Sequence, residues 1–157
     1  MDNQGVEILL VEDNRNDVEL TLRAFKSGNV VNRIVVVRDG EEALEYIFCV
    51  GRYAANKSNW VPPKTVLLDL KLPKVSGLEV LKRMKADPRT KGIPVVILTA
   101  SNEERDVVES YQLGVNSYIV KPVDFHKFTE AMKALGVYWL SVNHPATGTG
   151  FARAPGA

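Results

Sequence analysis

Five short apolar runs punctuate the chain: VEILLV (6–11), RIVVV (33–37), TVLLDL (65–70), IPVVIL (93–98) and SYIV (117–120). They are rich in Val, Ile and Leu and do not alternate with polar residues. A strand with one wet face alternates with period two. An unbroken apolar run fits a strand buried on both faces, as in a parallel sheet covered by helices on each side. Segments with helical spacing lie between these runs. Val18, Leu22 and Phe25 share one stripe, Leu44, Ile47 and Phe48 a second, and Leu78, Leu81 and Met84 a third. Val107, Val108 and Tyr111 form a fourth, and Phe128, Met132, Leu135 and Trp139 a fifth. Strands alternating with helices in this way specify an α/β domain, a parallel sheet in three layers, doubly wound with right-handed crossovers. The stripes are core contacts. Gly28, Gly77, Gly92 and Gly114 fall at element ends, where a positive φ or a tight turn is wanted. Asp124 is placed to cap the last helix.

With 157 residues the chain can bury a real core as one domain. A formal net charge of +1 gives no reason to expect nucleic acid or an anionic membrane surface as partner. No apolar run approaches the ~18 residues of a membrane span, and MDNQGVEILL lacks a signal pattern, so a cytoplasmic protein is expected. Cys49 is the single cysteine; in YIFCV it reads as a buried small hydrophobe. Two stretches depart from a minimal α/β domain. The connection GRYAANKSNWVPPK (51–64) is long, and such loops are uncommon unless functional or mobile. The Gly-, Pro- and Ala-rich HPATGTGFARAPGA (144–157) is expected to be a disordered tail after a domain spanning 1–143.

Open α/β sheets bind ligands beyond the carboxyl ends of their strands. The first run delivers Glu12 and Asp13 there, the third Asp69, the fourth Thr99 and the fifth Lys121, followed by Pro122. An unpaired buried carboxylate costs several kcal/mol or shifts its pKa, and three carboxylates at one edge repel one another. A divalent cation removes the conflict, and hard oxygen ligands suit Mg²⁺. Lys121 supplies a point positive charge suited to a phosphoryl oxygen, and Thr99 a hydroxyl donor. Asp69 then reads as a nucleophile toward a phosphoryl group. Singly, each residue has a plainer explanation. Asp13 could cap the first helix, as could Asn14 or Asn16; Asp69 and Thr99 could be turn residues; Lys121 could be a solvated lysine. Their joint placement on four strand ends favours the site. His126 and His144 are isolated and suggest no transition-metal centre.

These residues together resemble the receiver domain of bacterial two-component response regulators, of the chemotaxis-Y type. The resemblance runs from about Val6 to about Leu140. It rests on Glu12-Asp13, DLKLPKVSG around Asp69, Thr99-Ala100, Tyr118 and Lys121-Pro122. It implies a flavodoxin-like sheet of five strands in the order 2-1-3-4-5 with five helices. It further implies that Asp69 takes a phosphoryl group from the phosphohistidine of a sensor kinase. Mg²⁺ would be held by Asp13, Asp69 and the backbone carbonyl of Lys71, with Glu12 acting through water. Thr99 and Tyr118 would be the switch residues, and the Lys121–Pro122 bond would be cis. Glu12 stands where Asp is commoner, Leu72 where Met is frequent, and the 51–64 connection is longer than in minimal receivers. That connection, with ILLVEDNRNDVELTLRAFK, resembles the small single-domain regulators paired with cyanobacterial and bacterial phytochromes. Homodimers are usual in that subfamily, and the apolar LGVYWLSV (135–142) is expected to contribute to one. The residues after Leu140 are too few for an effector domain, so output is expected through a protein surface.

Three other classes compete. A phosphatase of the haloacid dehalogenase type also uses an Asp nucleophile and Mg²⁺, but wants a second Asp two residues after the first. Asp69 is instead followed by Leu70 and Lys71, and Asp13 by Asn14 and Arg15. A flavin or nucleotide module needs a Gly/Ser/Thr-rich loop after the first strand, where this chain has the acidic EDNRND. A receiver-like scaffold that is never phosphorylated would not need the full set of site residues.

Overall fold

The computed structural model describes residues 8–28, 30, 32–59, 61–100, 115 and 117–134. Its strands are β1 (Ile8–Val11), β2 (Ile34–Val37), β3 (Thr65–Asp69), β4 (Val95–Thr99) and β5 (Ser117–Val120). They form one parallel sheet in the order β2-β1-β3-β4-β5, the expected doubly wound, flavodoxin-like arrangement. The described α-helices are α1 (Arg15–Ser27), α2 (Gly40–Phe48), α3 (Gly77–Ala86) and α4 (Phe125–Ala134). The stripe at Val107, Val108 and Tyr111 lies outside the described residues. So do Gly114, Leu135, Trp139, the 135–142 segment and the 144–157 tail.

The strands do not alternate with polar residues because successive side chains enter two different cores. Ile8 and Leu10 join Val18 and Phe25 of α1 and Phe128 and Met132 of α4. Leu9 and Val11 point the other way, into a core with Leu44 and Ile47 of α2 and Leu81 and Met84 of α3. Both faces are covered, and each large apolar side chain buried there contributes roughly 1.5–3 kcal/mol. The rings of Phe25 and Phe128, 4.3 Å apart, tie α1 to α4 across the first core.

Local departures from the sequence pattern have local causes. The run IPVVIL becomes a strand only from Val95, since Pro94 has no N–H to give the ladder. Its carbonyl still accepts from the Val66 N–H at 3.0 Å. On α1 the inward residue between Val18 and Phe25 is Thr21, and Leu22 is 36% exposed. A seven-residue step can be bridged by either position. Thr21 is buried without loss because its hydroxyl donates to the Asp17 carbonyl at 2.8 Å. Asn14, not Asp13, caps α1 by accepting from the Asp17 N–H at 2.9 Å. Asp124 caps α4 as expected, accepting from the Lys127 N–H at 2.8 Å.

The long connection after α2 begins as a 3₁₀-helix, Gly51–Asn59. Cys49 ends α2 in the left-handed region (φ 57°), is buried, and its Sγ donates to the Tyr53 carbonyl at 3.4 Å. Tyr53 packs edge-on against Tyr46 and donates its hydroxyl to Glu42 Oε2 at 2.7 Å. Burial and that hydrogen bond push the Tyr53 pKa up to about 12. At Gly77 the requirement is space rather than an unusual φ. A Cβ there would lie 2.1 Å from the carbonyl oxygen of Asp69, so only glycine lets α3 start this close to the end of β3.

Candidate functional site

Asp69 is the last residue of β3 and Thr99 the last of β4; Glu12 directly follows β1 and Lys121 directly follows β5. Four parallel strands therefore bring these residues to one edge of the sheet. Asp69 has the parity of Leu67, which lies in the core beneath α1 and α4, so its side chain leaves the sheet on the α1 side. Asp69 is 4% exposed and Glu12 only 1%. Burial to that degree demands partners for both carboxylates.

Lys121 is the shared partner. Its Nζ lies 3.2 Å from Glu12 Oε1, 3.0 Å from Asp17 Oδ2 and 3.2 Å from Asp69 Oδ2. The other oxygens of Asp69 and Glu12 take backbone donors. Asp69 Oδ1 accepts from the Lys71 N–H at 3.2 Å, and Glu12 Oε2 from the Asn14 N–H at 3.1 Å. Lys71 thus reaches the site through its N–H. Carboxylate oxygens of Glu12, Asp13 and Asp69 all lie within 4.8 Å of one another, with Asp13 exposed.

The crowding is visible in the proton affinities. Burial, then the hydrogen bond to Asp69 and the Asp69 charge, push the Glu12 pKa up to about 7; the Asn14 N–H and Lys121 pull against this. For Lys121 burial disfavours the charge. The hydrogen bond to Asp17 and the charges of Asp69 and Glu12 outweigh it, and the lysine pKa is raised.

Thr99 is fully buried, and its Oγ1 has no hydrogen-bond partner among the described residues. An orphaned buried hydroxyl costs about 1–3 kcal/mol, which suits a group waiting for a ligand oxygen. The backbone beside it is fixed, with the Lys121 N–H donating to the Thr99 carbonyl at 2.8 Å. Tyr118 is partly buried and packs against the core on the α2 and α3 side. The Lys121–Pro122 peptide bond is cis.

The donor set fits a small hard cation. It is made of carboxylate oxygens, without a thiolate or imidazole, and one member is exposed to the solvent from which an ion arrives. One acid in contact with Lys121, Asp17, is not evident from the strand-end pattern. It lies in the first turn of α1 and reads by position as a helix N-terminal acid. The available signal was its place four residues after Asp13 in EDNRND, one helical turn from the strand end.

A profile of the response regulator receiver domain matches residues 8–133. The chain belongs to the response regulator receiver domain family. This receiver is 50% identical to the bacteriophytochrome response regulator AtBRR, over 90% of this chain and 100% of that one, with a TM-score of 0.82. Response regulator Rcp1 of Synechocystis sp. is 38% identical over 140 residues, 88% of this chain and 92% of Rcp1. The Mn²⁺-bound form of Rcp1 aligns with this receiver at a TM-score of 0.69, covering 89% and 100% of the two chains at 34% identity. The phosphorylated cyanobacterial phytochrome response regulator RcpA is 40% identical, covers 93% and 98% of the two chains, and gives a TM-score of 0.68. The likeness to regulators of the phytochrome-linked type therefore extends to the fold, over 90% of this chain for AtBRR and 93% for RcpA.

Proposed function

We propose that this receiver is a single-domain response regulator that accepts a phosphoryl group on Asp69 from a sensor histidine kinase of the phytochrome type. It would work in the cytoplasm and pass the signal through a protein surface. The observation that carries the reading is the environment of Asp69. It is a buried carboxylate with a lysine ammonium at 3.2 Å, two more carboxylates within 4.8 Å, and at the next strand end the Thr99 hydroxyl, which has no partner among the described residues. No catalysis of an outside reaction is needed to account for these parts.

In the proposed transfer an Asp69 carboxylate oxygen forms a bond to phosphorus as the phosphorus–nitrogen bond of a phosphohistidine breaks. The bonding pair leaves with the imidazole. Asp69 Oδ1 is held by the Lys71 N–H and Oδ2 by Lys121, so the nucleophile is fixed before the donor arrives. Lys121 then offsets charge on a phosphoryl oxygen, and the Thr99 hydroxyl donates to another. Asp13 and Asp69, with the Lys71 carbonyl, would hold Mg²⁺, and Glu12 would act through water; the ion would supply charge neutralisation at the phosphoryl oxygens. Support for the metal comes from the oxygen-only donor set and from the Mn²⁺-bound form of the relative Rcp1. Support for phosphorylation comes from the phosphorylated relative RcpA. Tyr118 and Thr99 would carry the change to the output surface, and segment 135–142 would join two copies in a homodimer.

The test is a transfer experiment. A purified phytochrome-type histidine kinase carrying radiolabelled phosphate is mixed with the wild-type chain or with Asp69→Asn, with Mg²⁺ present. Label should move to the wild type and stay on the kinase with the variant. Label that moves equally to both would overturn the assignment of Asp69.

A further inference from the structure

Lys121 serves the site only if its main chain is fixed. Its Nζ meets carboxylates from three other segments, Glu12 at 3.2 Å, Asp17 at 3.0 Å and Asp69 at 3.2 Å. The ammonium sits on a flexible four-carbon stem, so its aim depends on what holds the base of that stem. One side is held by the sheet, where the Lys121 N–H donates to the Thr99 carbonyl at 2.8 Å. On the other side β5 is an edge strand, and the described residues offer no further strand to take its carbonyls. A side chain takes them instead. Lys127 Nζ donates to the Val120 carbonyl at 3.0 Å and to the Pro122 carbonyl at 3.1 Å, the residues immediately before and after Lys121. Lys127 lies in the first turn of α4, where the helix dipole disfavours a cation. The two carbonyls offset that cost and account for a lysine at a helix start.

We infer that Lys127 is a positioning residue for phosphoryl transfer: by bridging the carbonyls on either side of Lys121, it fixes the main chain from which Lys121 reaches Asp69. The inference rests on the reading of Asp69 as phosphoacceptor. Both contacts are to main-chain carbonyls, so the effect on Asp69 passes through Lys121. The local structure permits a clean test. The Lys127 main chain, not its side chain, completes the α4 cap by donating its N–H to Asp124 Oδ1 at 2.8 Å, so truncating the side chain leaves the cap in place.

The experiment follows phosphorylation of Asp69 by acetyl phosphate with saturating Mg²⁺, the phosphoryl group passing to Asp69 as acetate leaves. Wild type is compared with Lys127→Ala, Lys127→Arg and Lys133→Ala; Lys133 is an exposed lysine on the same helix and controls for net charge. At saturating acetyl phosphate Lys127→Ala should be labelled roughly threefold to tenfold more slowly, the scale of a modest misplacement of one reacting partner. Lys127→Arg keeps donors for both carbonyls and should return toward the wild-type rate, and Lys133→Ala should match wild type. In a Lys121→Met background, Lys127→Ala should no longer change the rate, because the group it positions is gone. Equal rates for wild type and Lys127→Ala, the same slowing in Lys133→Ala, or slowing that persists undiminished beside Lys121→Met would overturn the positioning role while leaving Asp69 as acceptor. A second measurement needs no phosphoryl transfer: NMR of the Lys121 Cε methylene, assigned by its loss in Lys121→Met. Its two protons should be distinct in the wild type and merge in Lys127→Ala. Signals unchanged between the two would overturn the positioning role, whereas a wild type that takes no phosphoryl group from any donor would overturn the reading of Asp69.

Discussion

Lys121 Nζ lies 3.2 Å from Asp69 Oδ2, although 52 residues separate the two in sequence. The contact joins the ends of β3 and β5, which are not neighbours in the sheet, and it offsets the burial of Asp69. Removing the lysine leaves Glu12 and Asp69 buried among like charges. Lys121→Ala should cost about 3 kcal/mol in urea unfolding at pH 8, near the lower end for breaking a buried pair. The loss should shrink at pH 5, where proton uptake relieves the repulsion. A loss independent of pH would point to packing alone.

The raised pKa of Glu12 makes stability depend on pH with a defined sign. Its folded value of about 7 lies above its ordinary 4.5, so the folded state holds the proton more tightly. That contribution is fully present below pH 4.5 and is lost as pH rises through about 7. The Mg²⁺-free chain should therefore become less stable over this window, and Glu12→Gln should flatten the slope. Mg²⁺ competes with the same proton, so its affinity should climb with pH and level off above about 7. Calorimetric unfolding in chelator and Mg²⁺ titrations between pH 5 and 8 check both.

Thr99 places site chemistry and stability in opposition. Its hydroxyl is buried and unpartnered among the described residues. Thr99→Val keeps the shape and deletes the orphan, so it should raise the stability of the unphosphorylated chain by about 1 kcal/mol. The same variant should accept phosphate from acetyl phosphate more slowly, having lost a donor to the phosphoryl group. A destabilised Thr99→Val would mean that the hydroxyl has a partner in solution.

Much of this arrangement was legible in the sequence. The non-alternating runs fixed the strands to within two residues, because strands covered on both faces have no polar face to mark. Asp69, Thr99 and Lys121 were legible as polar residues terminating such runs. Asp17 was not, since an acid in the first turn of a helix already has a reason to be there. Helical spacing points to Leu22 as a core residue because it cannot separate a step of three from a step of four; Thr21 takes the place by bonding within its own helix. The 3₁₀-helix at Gly51–Asn59 carries no apolar period, and its anchoring through Tyr53 to Glu42 spans eleven residues.

The glycines separate space from flexibility. Gly77→Ala would set a methyl group 2.1 Å from the Asp69 carbonyl oxygen, a contact only backbone movement can relieve. It should cost roughly 2–3 kcal/mol and slow phosphorylation of Asp69 by displacing its main chain. Gly92→Ala meets nothing within 4 Å and should be neutral or stabilising by about 0.5 kcal/mol. Paired urea unfolding curves distinguish the two.

Phosphoryl transfer to Asp69 should be metal-dependent. Intact mass after incubation with acetyl phosphate and Mg²⁺ tests it most directly. The wild type should gain one phosphoryl group, a gain absent with EDTA and absent in Asp69→Asn. The same gain retained by Asp69→Asn, or unaffected by EDTA, would contradict it.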